Sequence, residues 1–339
     1  MNRRTAFRGI FGIGISVIAG FILVRSVDIG AAIEVLRSAD PAVVGLMAVS
    51  VFLDVAFRGA RWRALLMPVQ RVAYPRVLGY TYLGYLANNV LPARLGELVR
   101  AHAIGEGEGM SRTTALGTIV VERILDTLIV VGLAALAVVV LGVSGVLSTA
   151  VLLGAVFVGV LLVGLIVATL SHHLPGAARV AAWAERFPRV LDLGRRLRDG
   201  LRVVNDPSAV AWALVFSALA WTFSIATFIL GGRAIGVDIS LVQGALLSSG
   251  VALVTIVPSA PGYLGTFELT AVSIAGQFGV DRDAAFAMAL LVHAMILLVT
   301  SVGGAIAAVR LGVGLETGSS EEDARVEAVG PAPATPRDP

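Results

Sequence analysis

The feature that most constrains this chain is the length of its apolar runs. Six stretches, at about 9–24, 42–58, 114–141, 149–170, 209–230 and 284–309, read as membrane spans, since a hydrocarbon core is crossed by roughly 20 mostly apolar residues. Two further apolar stretches, at about 77–104 and 241–278, are broken in the middle. The first is interrupted by Asn88-Asn89-Val90-Leu91-Pro92-Ala93-Arg94-Leu95-Gly96-Glu97, the second by Pro258-Ser259-Ala260-Pro261-Gly262-Tyr263-Leu264-Gly265-Thr266-Phe267-Glu268. Proline removes a backbone donor and glycine loosens the chain, so neither stretch continues as one helix. Apolar residues make up 57% of the chain and charged residues 14%, against about 25% charged in a soluble domain. The expected fold is an all-α polytopic membrane protein. It has about six full transmembrane helices and two re-entrant, broken helical hairpins, about eight hydrophobic segments in all.

All 26 basic residues are Arg, and their placement sets the orientation, because positive residues accumulate on the cytoplasmic side. Arg3, Arg4 and Arg8 put the N-terminus in the cytoplasm. If both broken stretches enter and leave by one face, 21 Arg fall on the cytoplasmic side, Arg25, Arg37, Arg233 and Arg282 outside, and Arg123 within a span. Seven of the 21 lie in the loop 171–207. That count favours two hairpins over eight plain crossings and makes both termini cytoplasmic, in a multi-pass protein of the cell membrane. The N-terminal Arg-rich start resembles a signal peptide, but a retained first helix fits better. Residues 1–315 form the membrane domain, and the Pro-, Ala- and acid-rich residues 316–339 are expected to be a disordered cytoplasmic tail.

The broken stretches echo each other. Glu97 precedes Glu122 by 25 residues, and Glu268 precedes His293 by 25. Arg63-Ala64-Leu65 before the first stretch is matched by Arg233-Ala234-Ile235 before the second. Each unit, about 41–141 and 208–312, reads as span, hairpin, span. With the Arg-derived orientation the two units start on opposite sides, which makes an inverted repeat, a transporter design in which discontinuous helices meet near the midplane.

Charges inside apolar runs mark the candidate site, because each costs on the order of 2.5–3.5 kcal/mol at the bilayer centre. Glu122, Arg123 and Asp126 share one helical stretch, and either line a functional cavity or glue helices. Asn88, Asn89, Arg94, Gly96, Glu97 and Arg100 crowd the first break. Irregular backbone at membrane depth must be buried in protein or line a wet cavity. Arg94 and Arg100 carry guanidinium forks that match phosphate oxygens; the alternative is pairing with Glu97 or snorkelling to the interface. In the second break, Pro261, Gly262 and Gly265 open a half-helix N-terminus towards Glu268. Glu268 and His293 read as packing hydrogen bonds, with a proton relay as the alternative. Arg61 and Arg63, flanking Trp62, read as an interfacial anchor or a headgroup-collecting vestibule. The four His show no metal-cage spacing, and the absence of Cys excludes thiolate ligands and thiol nucleophiles. No metal, cofactor, nucleic-acid partner or catalytic residue is expected. No ATPase motif is present, which argues against transport driven by hydrolysis in this chain.

Arg61-Trp62-Arg63-Ala64-Leu65-Leu66, the run Asn89 to Glu97 with Arg100, Glu122-Arg123 with Asp126, and the run Pro258 to Glu268 together resemble the lysylphosphatidylglycerol synthase transmembrane-region, or flippase-like, family. The resemblance covers roughly 9–312. The family's last motif usually reads Pro-x-x-Pro-Gly-Gly-x-Gly; here Tyr263 stands for the second of the paired glycines. In fused bacterial members this membrane region flips an aminoacylated phospholipid made by a separate soluble domain. Stand-alone members are linked to polyprenyl-phosphate or glycolipid pathways. The resemblance therefore implies translocation of a phospholipid or polyprenyl-phosphate-linked headgroup, with membrane lipid as partner. The alternative is an intramembrane transferase or an accessory to a cytoplasmic lipid-modifying enzyme. The 24 residues after Leu315 are too few for an acyltransferase fold, so no lysyl transfer by this chain is expected.

Overall fold

The computed structural model describes residues 29–91, 95–142, 149, 154, 156, 159, 206–255 and 259–312. The expected first span, most of the span at 149–170, nearly all of the loop 171–207, the tail and Arg94 lie outside the described residues. Those described form nine α-helices and no strand: α1 (Ile29–Arg37), α2 (Pro41–Leu66), α3 (Tyr74–Val90), α4 (Gly96–Glu108), α5 (Arg112–Leu141), α6 (Pro207–Ala234), α7 (Leu241–Val254), α8 (Thr266–Gly276) and α9 (Arg282–Arg310). A short 3-10 turn, Pro261–Tyr263, lies between α7 and α8.

Among the described residues, four helices are long and apolar enough to cross a membrane: α2, α5, α6 and α9, of 26, 30, 28 and 29 residues. At 1.5 Å per residue they reach roughly 39–45 Å, more than the hydrocarbon core of about 30 Å. Their starts are set by local chemistry. Asp40 accepts the Ala42 N–H at 2.8 Å, Asp206 accepts those of Ser208 and Ala209, and Asp281 accepts those of Asp283 and Ala284. Each carboxylate satisfies donors that the first turn leaves open. Large apolar side chains such as Phe52, Leu136, Val139, Trp212, Leu298 and Val309 point outwards, as expected where the surroundings are lipid rather than water.

The two broken stretches are each a pair of short helices. α3 and α4 lie antiparallel. Asn88 Oδ1 accepts the Gly96 N–H at 2.8 Å near the break, and Tyr80 donates to Glu108 at 3.0 Å towards the open end. α7 packs on α8, with Gly250 against Ile274. α2 does not end near Arg58, as the sequence suggests, but runs on to Leu66, so Arg58 and Arg61 lie within a helix.

α2 and α6, the first helices of the two units, form the most extensive helix pair and run antiparallel. Asp40 N–H meets the Ala234 carbonyl at one end, Ser50 donates to Phe223 O at 2.8 Å in the middle, and Arg61 reaches Ser217 at 3.3 Å further along. α3 packs on α9, and its counterpart α7 packs on α5. Each broken segment therefore leans on the last long helix of the opposite unit. The buried apolar residues of the described segments form two larger cores and a small third one of Leu65, Val121, Ala209 and Ala213. One large core is built on α7, α8 and α9 with Met47 of α2, Ala137 of α5 and Phe228 of α6, the other on α2, α3, α4 and α5 with Ala307 of α9.

The α3–α9 contact depends on small residues. A Cβ on Gly304 would collide with Leu86 and come 2.9 Å from the Tyr82 carbonyl, and one on Gly303 would enter the Tyr82 ring. Helices in lipid associate through such close approach, because no hydrophobic drive holds them together. Gly304→Val should destabilise the folded protein by about 1–3 kcal/mol, as overpacking does; a lowered thermal unfolding midpoint in detergent, unmatched by Gly45→Val at a position with open space, checks it.

Candidate functional site

α2 carries Asp54, Arg58 and Arg61 at i, i+4 and i+7, on one face of the helix. α5 turns Glu122, Arg123 and Asp126 towards that face, and α4 adds Glu97 and Arg100. The result is a network of four guanidiniums and four carboxylates. Arg61 makes a fork to Asp126, Nη1 at 2.5 Å from Oδ1 and Nη2 at 3.0 Å from Oδ2, and its Nη2 also lies 3.2 Å from Glu122. Arg100 and Arg123 donate to the same Glu122 oxygen at 2.9 and 2.5 Å. Arg58 donates to Asp54 at 2.8 Å and lies 3.6 Å from Asp126. Arg123 lies 3.3 Å from Asp126 and 3.9 Å from Glu97.

Aromatic groups complete the network. Trp62 lies under the Arg100 guanidinium, 4.5 Å from its centre, and donates its indole N–H to Thr118 at 3.1 Å. Trp221 of α6 lies under Arg58 and donates to Asp126 at 3.3 Å. Inside a low-dielectric interior, charges persist only when paired and hydrogen-bonded in this way. Exposure grades across the network: the Arg61 side chain is 0% exposed, that of Arg123 is 38% exposed.

Arg123 marks the edge of a cavity of about 270 Å³. Asp54, Arg58, Glu97, Arg100 and Asp126 line it with Arg123, as do Tyr263 near the second break and Phe267 and His293 of α8 and α9. Asn88 and Asn89 line it as well. Asn88 fixes the start of α4 through the Gly96 N–H, while Asn89 donates to Thr300 and Ser301 of α9 at 2.9 and 3.0 Å. Gly96 is required by closeness: a Cβ there would strike the Gly84 carbonyl and Asn88. In the second break Pro261 opens the 3-10 turn, whose Gly262 comes up to the Asn89 carbonyl, so this break packs against the first. Tyr263 has φ +60°, a left-handed conformation that costs a side chain and suits glycine. Glu268 Oε2 accepts the Gly265 N–H at 2.7 Å, and its Oε1 lies 2.6 Å from His293 Nδ1. His293 stacks on Phe267 with ring centres 4.1 Å apart.

The structure brings Asn88, Asn89, Gly96, Glu97, Arg100, Glu122, Arg123, Asp126, Pro261, Gly262, Gly265, Glu268 and His293 around one interior region. Arg61 needs a correction. It is neither an interfacial anchor nor part of a vestibule, but the most deeply buried cation of the network, and Trp62 is buried with it. The antiparallel turn of α5 puts two carboxylates opposite it, which no local pattern announces. Arg63, by contrast, points away and donates to the Val72 carbonyl at 3.1 Å in the connection to α3. The sequence groups Arg58 with Arg61, Trp62 and Arg63 at the end of a span, and the structure moves it with Arg61 into the network. Nothing in the sequence marks Trp221.

Residues 9–304 match the lysylphosphatidylglycerol synthase TM region. The chain belongs to this family. It is similar to glycosyltransferase AglD of Haloferax volcanii, 29% identical over 93% of this chain and 56% of that protein. It thus spans little more than half the length of that relative. A second relative is a UPF0104 membrane protein of Methanothermobacter thermautotrophicus, 26% identical over 76% of this chain and 81% of that protein.

Proposed function

We propose that this protein binds the phosphate-bearing headgroup of a phospholipid or polyprenyl-phosphate-linked lipid in the cavity and carries it across the cell membrane. The observation that supports this most is Arg123. It is the most exposed cation of the buried network, it stands at the wall of a headgroup-sized cavity, and both broken segments close around it. Its fork can exchange a carboxylate for a phosphate at little geometric cost. The acyl chains remain in the bilayer and pass through a lateral opening.

The two broken segments act as re-entrant hairpins, α3–α4 entering from the cytoplasm and α7–α8 from outside. α3 and α7 have 17 and 14 residues, or roughly 21–25 Å of helix. That falls short of the core's thickness of about 30 Å. The C-terminal ends of α2 and α6 then face opposite sides of the membrane. A single Cys introduced at Arg71 should be shielded from an impermeant outside thiol reagent, and one at Asp238 should be labelled; both side chains are exposed, and the chain has no Cys of its own. Labelling of both from the same side would overturn the inverted arrangement.

The second reading is an intramembrane transferase, or an accessory to a cytoplasmic lipid-modifying enzyme. The similarity to a protein named glycosyltransferase favours it. The ion network weighs against it, because Glu122 and Asp126 are each held by several guanidiniums, which leaves a general base little reason to take a proton. Purified protein in liposomes with labelled lipids separates the two. Lipid that changes leaflet unaltered supports transport; a new lipid species made by the protein would replace that reading with the enzyme.

A further inference from the structure

The repeat exposes an asymmetry. A shift of 171 residues carries Glu97 onto Glu268 and Glu122 onto His293. In the first unit Glu122 is held by Arg61, Arg100 and Arg123. The same shift carries Arg100 onto Ala271 and Arg123 onto Ala294, and the counterpart of Arg61 falls in the Gly231-Gly232 pair of α6. Each guanidinium has been replaced by a residue without charge. What faces Glu268 is the imidazole of His293, 2.6 Å away. Guanidinium keeps its charge at any physiological pH, whereas imidazole gains and loses a proton between about pH 5 and pH 8. The first unit brings fixed charge to the cavity, and the second a titratable pair.

We propose that Glu268 and His293 form a proton-binding site of this cavity, and that a proton travels with the lipid headgroup. The coupling rests on the transport reading; the proton site does not. The pair is buried, yet His293 and its stacking partner Phe267 line the cavity, so a proton reaches the pair from the space that receives the headgroup. With its proton the pair is neutral overall. Without it, a buried carboxylate stands uncompensated, which is costly. An anionic phosphate entering the cavity raises that cost and draws the proton in, and by reciprocity the proton tightens phosphate binding. Glu268 also holds the Gly265 N–H at the tip of the second broken segment. A protonated His293 draws on the same carboxylate that accepts this N–H, which links the proton to the backbone closing the cavity.

Other ionisable groups around the pair leave it this role. Facing the cavity are Asp54 and Arg58 from α2, Tyr85 from α3, Glu97 and Arg100 from α4, Arg123 and Asp126 from α5, and Tyr263 from the 3-10 turn. Within α8 and α7, Glu268 is the one ionisable side chain; α6 carries Arg233 at its end, and α9 carries Arg282, Asp283 and Arg310 near its ends. α1, which packs on α9, carries Glu34 and Arg37. Among the described residues His293 is the ion-pair partner of Glu268, and Arg58, Arg100 and Arg123 are engaged with the acids of the first unit.

The test uses the full chain with nitrogen-labelled histidine in nanodiscs, the His293 signal being identified by its loss in His293→Gln. That signal should change across the pH range in which the protein stays folded, as the pair takes up or loses a proton. Its midpoint should move in Glu268→Gln, whose side-chain carbonyl can still accept the Gly265 N–H and keep the bend. In liposomes of phosphatidylethanolamine and phosphatidylglycerol, with a trace of short-chain fluorescent phosphatidylglycerol and an internal pH dye, an imposed pH gradient should speed lipid movement towards the alkaline side severalfold. The dye should report proton entry with it. His293→Gln, with an unchanged unfolding midpoint, should lose the response to the gradient. A His293 signal that is constant across the range overturns the proton site, and wild-type lipid movement indifferent to the gradient overturns the coupling. If the wild type moves no lipid at all, the transport reading fails and the coupling with it, while the histidine titration still decides the proton site.

Discussion

Replacing Asp126 by alanine should destabilise the protein by about 3–5 kcal/mol, the usual consequence of leaving a buried charge without its partner. Asp126 receives both terminal nitrogens of Arg61, a hydrogen bond from Trp221, and the neighbouring charges of Arg58 and Arg123. The Arg61 side chain has no solvent exposure, so water cannot take over these roles. Loss of most folded protein in detergent, read as aggregation on size exclusion or as a collapsed thermal midpoint, is the expected result. Pairing the change with Arg61→Met should recover much of the loss, because removing both charges from an apolar interior is far cheaper than removing one. Recovery by the double change is a stringent check, since it distinguishes an ion-pair effect from loss of packing volume at Asp126. A single Asp126→Ala variant with wild-type stability would refute the account of the network.

Arg123 should behave in the opposite way. Its side chain is partly exposed at the cavity, and Arg61 and Arg100 remain on Glu122 when it is removed. Arg123→Ala should therefore fold. It should weaken headgroup binding by about 1.5–3 kcal/mol, the range for a hydrogen bond to a charged group, or roughly 10- to 150-fold in affinity. Arg123→Lys keeps the charge but loses the planar fork, so it should restore only part of the binding. The measurement is the initial rate of fluorescent lipid movement against lipid concentration in liposomes, with the unfolding midpoint as control. Wild-type transport by a stably inserted Arg123→Ala variant would show that the phosphate does not meet this guanidinium.

Much of the architecture was legible before any coordinates. The four long helices correspond to apolar runs, and the two breaks fall where Pro and Gly cluster. Glu268 and His293, 25 residues apart, meet directly, whereas Glu97 and Glu122, at the same spacing, are bridged by Arg123. Charges at 122, 123 and 126 had to face inwards, because lipid would not tolerate them. Helix ends were harder to place. Arg58, Arg61 and Arg63 with Trp62 resemble the end of a span, and an interfacial anchor is the ordinary reading of such a cluster. α2 instead continues to Leu66 and carries two of these arginines into the interior.

The sequence by itself determined that the chain is a helical membrane protein with two interrupted segments, and which helix faces carry charge. These follow from composition and from spacing along one helix, both local properties. Only the tertiary structure decided who meets whom. Arg61 finds Asp126 65 positions away in the chain, and Trp221 reaches the same carboxylate from 95 positions on the other side. The physical reason lies in the interior itself. A buried charge requires a partner but does not specify one, and the choice is made when α2, α5 and α6 pack and the first counter-charges within hydrogen-bonding reach become fixed. The same packing turned two related segments to different ends: fixed guanidiniums around Glu122, and a single imidazole opposite Glu268.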